Sequence, residues 1–319
     1  MSRKSVIHLL SFAIVLALSI GTVNNTYTTN YLSLIKDDAQ TVSTTKDSLY
    51  SEIKKHAPRY EIEPKNAVID PVWKAIPGYN GRKVDLKASY QKMKKVGKFD
   101  EKKLVFKQIP PTVHLRDLSP APIYKGHPDK KMVSFLINVA WGNEYIPSML
   151  ETLKKHNVKA TFFLEGRWVK KYPDLAKMIL EEGHEIGNHS YSHPNLEAST
   201  EGRIKQELKK TNEMIKATLG IEPTWFAPPS GSYRDAVVRI AAEMKMGTIM
   251  WTVDTVDWKK PPPQVIVSRI NQKVHPGAMI LMHPTASASS ALEPMIKTLL
   301  EKEYRIANVS TLLSEERLD

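Results

Sequence analysis

The chain has 319 residues, 41% hydrophobic and 25% charged, so it is long enough to bury a sizeable core and too apolar to be a disordered protein. It contains no cysteine, which excludes disulfides and thiolate metal sites and leaves histidine, carboxylate and amide oxygen to hold any metal. The formal charge is +12, and residues 24–131 carry 21 Lys and Arg against 12 Asp and Glu, a surplus of nine. Such a surface favours an anionic partner: nucleic acid, anionic lipid or an acidic cell-wall polymer.

In chain order, the basic start Met1-Ser2-Arg3-Lys4 precedes an uncharged apolar run from Leu9 to Val23. This reads as a targeting segment, residues 1–25, and implies export. The run is short for a bilayer span, yet no A-x-A-like cleavage site closes it, so a cleaved signal and a retained membrane anchor both stay open. Residues 26–128 read as a basic stalk followed by a small module. An amphipathic helix is expected at Asp47–His56, another at Leu86–Val96, and apolar residues such as Trp73, Ile76, Tyr90 and Phe106 return among lysines. Pro110, Pro111, Pro120 and Pro122 then mark a stiff linker.

From residue 129 to the end, short apolar runs alternate with helical patterns. Strands are expected at Met132–Asn138, Lys159–Leu164, Glu185–His189, Trp225–Pro228, Gly247–Asp254, Ala278–His283 and Arg305–Val309. Helices are expected at Ile146–His156, Pro173–Glu182, Glu201–Leu219, Asp235–Met244, Pro263–Lys273 and Ala291–Glu303. Seven strands alternating with six helices imply an α/β fold with a parallel sheet. A span of this length, with no G-x-G-x-x-G or Walker sequence after any strand, favours an irregular (β/α) barrel over an open doubly wound sheet.

His189 and His193 stand four residues apart in Gly187-Asn188-His189-Ser190-Tyr191-Ser192-His193, a spacing that lets one helical turn aim both imidazoles at a divalent metal. The plainer alternative is a pair of polar loop histidines. Other polar or punctuating residues fall at expected strand ends: Asn138, Pro228-Pro229, Asp254, Asp257 with Trp258, and Leu281-Met282-His283. Barrel enzymes keep their chemistry at that end. Trp141, Trp251 and Trp258 read as packing or sugar-facing walls, and His156 and His184 as structural.

Asn157-Val158-Lys159-Ala160-Thr161-Phe162-Phe163, Gly183-His184-Glu185-Ile186-Gly187-Asn188-His189-Ser190 and Asp254-x-x-Asp257-Trp258 together resemble the polysaccharide deacetylases of the NodB-homology type, carbohydrate esterase family 4, in their sporulation-associated branch. The resemblance spans residues 132–311. It implies a distorted (β/α) barrel with an N-terminal extension, and hydrolysis of N-acetyl groups on a cell-wall glycan, most simply peptidoglycan. It further implies a metal, commonly zinc, held by one aspartate and by His189 and His193, with His283 protonating the leaving amine and Asp257 supporting His283. Pro229, Trp258 and Leu281 would line the substrate groove. Nucleic acid is not an expected partner, since a targeting segment precedes the basic region and no nucleic-acid motif is present.

Three positions depart from that pattern. Where the first motif has the base aspartate and the ligand aspartate, this chain has Asn138 and Ala140, and Ala227 replaces the arginine that orients the base. An amide has no basic pKa near neutrality and alanine has no donor atom, so weak metal affinity and a missing general base are expected. Glu144 and Glu165 are the acids placed to compensate. The alternative to hydrolysis is a catalytically weak or inactive relative that binds glycan or a wall-synthesis partner.

Overall fold

The computed structural model describes residues 48–318 continuously, together with scattered positions between His8 and Asn30. Of the apolar run Leu9–Val23, residues 10–16, 19 and 20 are among those described, and they are helical and exposed. Among those described, no helix is long and apolar enough to cross a membrane. The chain divides into two compact units, residues up to Pro58 with Asp85–Val105, and Arg59–Val84 with Phe106–Asp319.

In the first unit, helix α1 (Ser48–His56) buries Leu49 and Ile53, and helix α2 (Leu86–Met93) buries Met93. Asp85 caps α2 by accepting a hydrogen bond from the Ala88 N–H at 2.9 Å. Tyr50 packs edge-on against Tyr90 and His56 stacks on Phe99.

The second unit opens with two antiparallel pairs, β1 (Val68–Asp70) with β2 (Lys74–Ile76) and β3 (Gly81–Val84) with β4 (Phe106–Ile109). The barrel follows: β5 (Met132–Val139), α3 (Ile146–Lys155), β6 (Thr161–Leu164), α4 (Gly166–Lys171), α5 (Pro173–Glu181), β7 (Glu185–Asn188), α6 (Glu201–Leu219), β8 (Trp225–Phe226), α7 (Asp235–Glu243), β9 (Gly247–Thr248), β10 (Val253–Asp254), α8 (Pro263–Lys273), β11 (Met279–Met282), α9 (Ala286–Glu301), β12 (Arg305–Ile306) and α10 (Val309–Leu313). The strand order is β10-β11-β5-β6-β7-β8-β9, all parallel, with β12 beside the start of β5. β5 is central and every residue of it is buried, as expected for a strand covered on both faces.

The expected single strand Gly247–Asp254 is two. β9 and β10 lie at opposite edges of the sheet and are joined by only four residues, Ile249–Thr252, which span at most about 14 Å. The edges therefore must meet, and the sheet curls into a distorted barrel. At the junction Met250 donates to Ile123 and Thr252 to Met279. Two cores result. One lies between sheet and helices, around Phe135, Ile137, Phe162, Trp168 and Leu292, and the other fills the barrel interior with Leu136, Phe163, Ile249, Met279 and Leu312.

Helix α4 has no counterpart in the expected elements. It is short, starts at Gly166, and is nucleated by Glu165, whose carboxylate accepts from the Trp168 N–H at 2.9 Å. α9 starts five residues earlier than expected. Its first turn, Ala286-Ser287-Ala288-Ser289, offers little apolar periodicity, but Thr285 caps it through the Ala288 N–H at 3.0 Å.

Candidate active site

Loops leaving the carboxyl ends of the strands assemble a pocket of three imidazoles. After β7 the chain turns sharply at Ser190 (φ 60°) and His193 (φ 55°), left-handed conformations uncommon for residues other than glycine. The turn is over-determined by polar contacts. Asn188 Oδ1 accepts from the Ser190 N–H at 2.8 Å, and Ser190 Oγ accepts from the His193 N–H at 3.2 Å. Glu207, reaching across from α6, accepts from the backbone N–H groups of Tyr191 (2.9 Å) and Ser192 (2.7 Å) and from the Ser192 hydroxyl (2.7 Å). One helical carboxylate thus holds the whole histidine loop. The sequence reading missed Glu207, because the i to i+16 relation between a loop and a helix has no local signature.

His189 is 1% exposed, and its Nδ1–H donates to the Ala227 carbonyl at 2.7 Å, which leaves Nε2 as the free nitrogen. Burial, reinforced by the neighbouring His193, pushes its pKa down to about 3, so the ring is neutral at physiological pH. Burial lowers the His193 pKa as well. The two rings lie edge to face with centroids 5.0 Å apart. A positive charge on His283 lowers the pKa of both rings further.

His283 follows β11. Its Nδ1–H donates to Asp257 Oδ1 at 2.9 Å and its backbone N–H to Oδ2 at 2.6 Å, so the fully buried carboxylate fixes both the loop and the tautomer. The Trp141 ring stacks on His283 with centroids 5.8 Å apart and planes 10° from parallel. Trp141 is held there by its neighbour: Gly142 (φ 81°) packs so tightly that a Cβ would lie 1.9 Å from the Pro284 carbonyl oxygen. Val256, a β-branched residue at φ 55°, precedes Asp257, and Asp254 is spent on the Val256 N–H at 2.7 Å.

The other half of the site is bare. Asn138, next to last in β5, is 4% exposed, and its Oδ1 is buried with no hydrogen-bond partner. Such an orphan acceptor costs free energy in a core, and is the expected trace of a position shaped for a group that another residue would hold. Ala140 contributes no donor atom. Ala227, 2% exposed, takes part only through its backbone, which accepts from His189 and donates to the Asn188 carbonyl. Pro229 is buried in a tight turn, Leu281 is buried in β11, and Trp258 is 54% exposed on the rim under Lys259.

Neither proposed substitute acid takes the base position. Glu144 is exposed on a short 3₁₀ turn. Glu165 is 8% exposed and committed to capping α4, with burial raising its pKa. His156 and His184 are structural: His156 meets Glu293 at the end of α3, and His184 accepts from the Ala160 N–H at 3.1 Å. A cavity of 960 Å³ lies elsewhere, around Leu115, Trp225 and Gly247 at the amino ends of the strands.

The metal implied by the resemblance can be tested against these donors. Among the described residues no group of three or more His, Asp or Glu converges to hold an ion. Two neutral imidazole nitrogens without a carboxylate do not fit a three-ligand centre.

These features define a NodB-type deacetylase barrel with His189, His193 and His283 after its strands and no carboxylate at position 138 or 140. The polysaccharide deacetylase model matches residues 125–249, and the chain belongs to that family. It is 32% identical over 200 residues to the peptidoglycan-N-acetylmuramic acid deacetylase PdaA of Bacillus subtilis, covering 61% of this chain and 76% of that protein. Over 307 residues it is 55% identical to YlxY of Bacillus subtilis, a protein of uncharacterised function, covering 96% of each. It also resembles the crystal structure of BA3943, a CE4 family pseudoenzyme from Bacillus anthracis, with TM-score 0.81 and 60% identity over 85% of this chain and 96% of that one. A mutant of BA3943 with restored enzymatic activity gives TM-score 0.80 at 59% identity, covering 85% and 99%.

Proposed function

We propose that this chain engages acetylated cell-wall glycan, most simply peptidoglycan, at the imidazole pocket, and that the family's N-deacetylation proceeds there only slowly. The observation that carries the reading is the contrast between the two halves of the site. The Asp257–His283 pair, with a buried carboxylate and one exposed ring edge, is built to hand a proton to a leaving amine. The water-activating half has an amide at Asn138 and nothing at Ala140. Without a base, catalysis forgoes about 10²- to 10⁴-fold. His189 and His193 offer a divalent ion such as zinc two nitrogens, a weak site at most.

The second reading, glycan or wall-partner binding without turnover, is favoured by the missing carboxylates and by the 60% identity to a protein called a pseudoenzyme. Acetate release by the full-length protein from peptidoglycan and from acetylated chito-oligomers, with and without Zn²⁺ or Co²⁺, separates the two. Slow release abolished by His283→Ala supports residual hydrolysis, and no release with saturable glycan binding supports the second reading. Absence of both rejects the proposal. Export with retention at the membrane or wall, and a place in sporulation, belong to the same proposal and rest on the basic-apolar start and the branch resemblance.

A further inference from the structure

The β1–β2 hairpin precedes the residues matched by the family model, and the chemistry above does not use it. It exposes four large apolar side chains within six residues: Val68, Ile69, Val72 (69%) and Trp73 (41%). A cluster of this kind on a short hairpin marks a contact surface rather than scattered apolar residues. Beside it is a cavity of 350 Å³ whose lining includes Asn66, Asp70, Trp73, Lys125 and His127. Its size is at the low end of ligand sites, about 300–1,000 Å³, and an indole beside an amide, a carboxylate and an ammonium is a lining suited to a sugar ring.

Trp73 is held rather than loose. Asp70 Oδ1 accepts from the backbone N–H groups of Val72 at 2.8 Å and Trp73 at 2.7 Å, which fixes the hairpin tip. Lys125 Nζ sits 5.6 Å from the indole centroid, and Tyr124 packs edge-on at 6.5 Å. Lys65 is paired with Asp129, so Lys74 and Lys125 face the single carboxylate of Asp70 and the surface is mildly cationic.

The hairpin is continuous with the site. The Tyr124 and Tyr233 hydroxyls hydrogen-bond at 2.8 Å, and Tyr233 stands in the loop leading from β8 into α7. In that loop Gly231 lies against Trp251, where a Cβ would come 2.8 Å from the ring. The loop is tied to residues just past His193: Ser232 Oγ donates to Asn195 and accepts from the Glu197 N–H. An aromatic line, Trp73, Tyr124, Tyr233, therefore runs from the hairpin to the rim of the imidazole pocket.

The geometry points to a distal sugar subsite on the β1–β2 hairpin, with Trp73 as stacking platform, that takes a further ring of the same acetylated glycan strand whose acetamide lies at the imidazole pocket. The inference rests on the glycan reading above. A lipid surface is the competing occupant of an apolar tip. It would desolvate the Asp70 carboxylate, whereas a pyranose offers a C–H face to the indole and the apolar wall of Val68 and Ile76, and hydroxyls to Asp70 and Lys125.

The test is calorimetric titration of the full-length protein with the N-acetylated chito-dimer and chito-hexamer. Wild type should bind the hexamer more tightly than the dimer. Trp73→Ala and Trp73→Leu should each weaken hexamer binding by about tenfold, the scale of a buried tryptophan contact, while leaving dimer binding unchanged. Trp73→Phe, which keeps a ring on the hairpin, should retain most of the gain and guards against a folding defect in the other two. Equal hexamer affinity in wild type, Trp73→Ala and Trp73→Leu overturns the subsite alone. Equal loss of dimer and hexamer binding overturns it too, because the effect then lies at the primary pocket. A wild type that binds neither oligomer overturns the subsite together with the reading beneath it. Loss of binding to phosphatidylglycerol vesicles in Trp73→Ala, with glycan affinities unchanged, replaces the sugar with lipid.

Discussion

Restoring the three departed positions separates a site that lacks only its base from a groove that no longer fits substrate. The structure predicts that the changes work only together. Asn138 is 4% exposed with an unpartnered Oδ1, so Asn138→Asp alone places a carboxylate where burial disfavours its charge. Its pKa rises, and the protonated acid is no better a base than the amide. The same variant buries a poorly paired group and should cost about 1–3 kcal/mol of stability. Ala227→Arg alone sets a cation at a 2% exposed position beside three imidazoles, with no anion to meet it. Ala140→Asp supplies a third ligand but no base. With all three, the arginine holds the aspartate at 138 ionised, and general-base assistance worth about 10²- to 10⁴-fold returns. We expect the triple variant to release acetate from an acetylated chito-oligomer at least about a hundredfold faster than wild type with added Zn²⁺, and to recover the thermal stability that Asn138→Asp loses. The related BA3943 has a mutant with restored enzymatic activity. A triple variant that binds metal tightly yet releases no acetate refutes the reasoning. So does a wild type already as fast.

Other outcomes follow from the same geometry. Zn²⁺ titrated into the full-length protein should bind weakly, and binding should vanish in the His189→Ala, His193→Ala double variant. Unchanged binding there removes the site. Ligand histidines must be neutral, and burial holds both pKa values below the ordinary 6.5, so proton competition should appear only below about pH 6.5. His184 is pushed down to about 4 by burial. The unfolded chain therefore takes up its proton first, and stability should fall as pH drops from 6.5 towards 4. His184→Asn, which keeps an acceptor for the Ala160 N–H, should flatten that slope in melting temperature against pH, and an unaltered slope discounts the residue. Full-length protein should fractionate with membrane or wall material, and recovery in the cytosol would end the export proposal.

Much of the barrel was legible because its signals are local. Apolar runs of four to eight residues bounded by turns located β5, β6, β7 and β11, and periodic faces located α3, α5, α6, α7 and α8 to within about a residue. What failed was set by distant partners. Gly247–Asp254 reads as one apolar strand, and only the closure of the sheet, with Ile123 and Met279 as partners, breaks it into β9 and β10. α4 and the first turn of α9 depend on the side-chain caps of Glu165 and Thr285, worth about 1 kcal/mol each, more than on amphipathic pattern.

The candidate site was named from short motifs, and the structure gives its pattern of residues a physical logic. His189, His283 and Asp257 each support the scaffold. His189 anchors the Ala227 carbonyl, and Asp257 closes the β11 loop through the His283 N–H while satisfying the ring. Removing Asp257 strands two buried donors, at a cost of about 1–3 kcal/mol for each. The positions that differ have no comparable scaffold role: Ala140 makes no side-chain hydrogen bond, Ala227 contributes only backbone, and Asn138 keeps the volume of the expected aspartate without its charge. In the family arrangement the aspartate and arginine would form a buried ion pair, whose desolvation often outweighs its attraction, so losing both members together is nearly neutral for folding while losing either one alone is not. Asn138, Ala140 and Ala227 are therefore compatible with folding as a set, while His189 and His283 are held by scaffold contacts of their own.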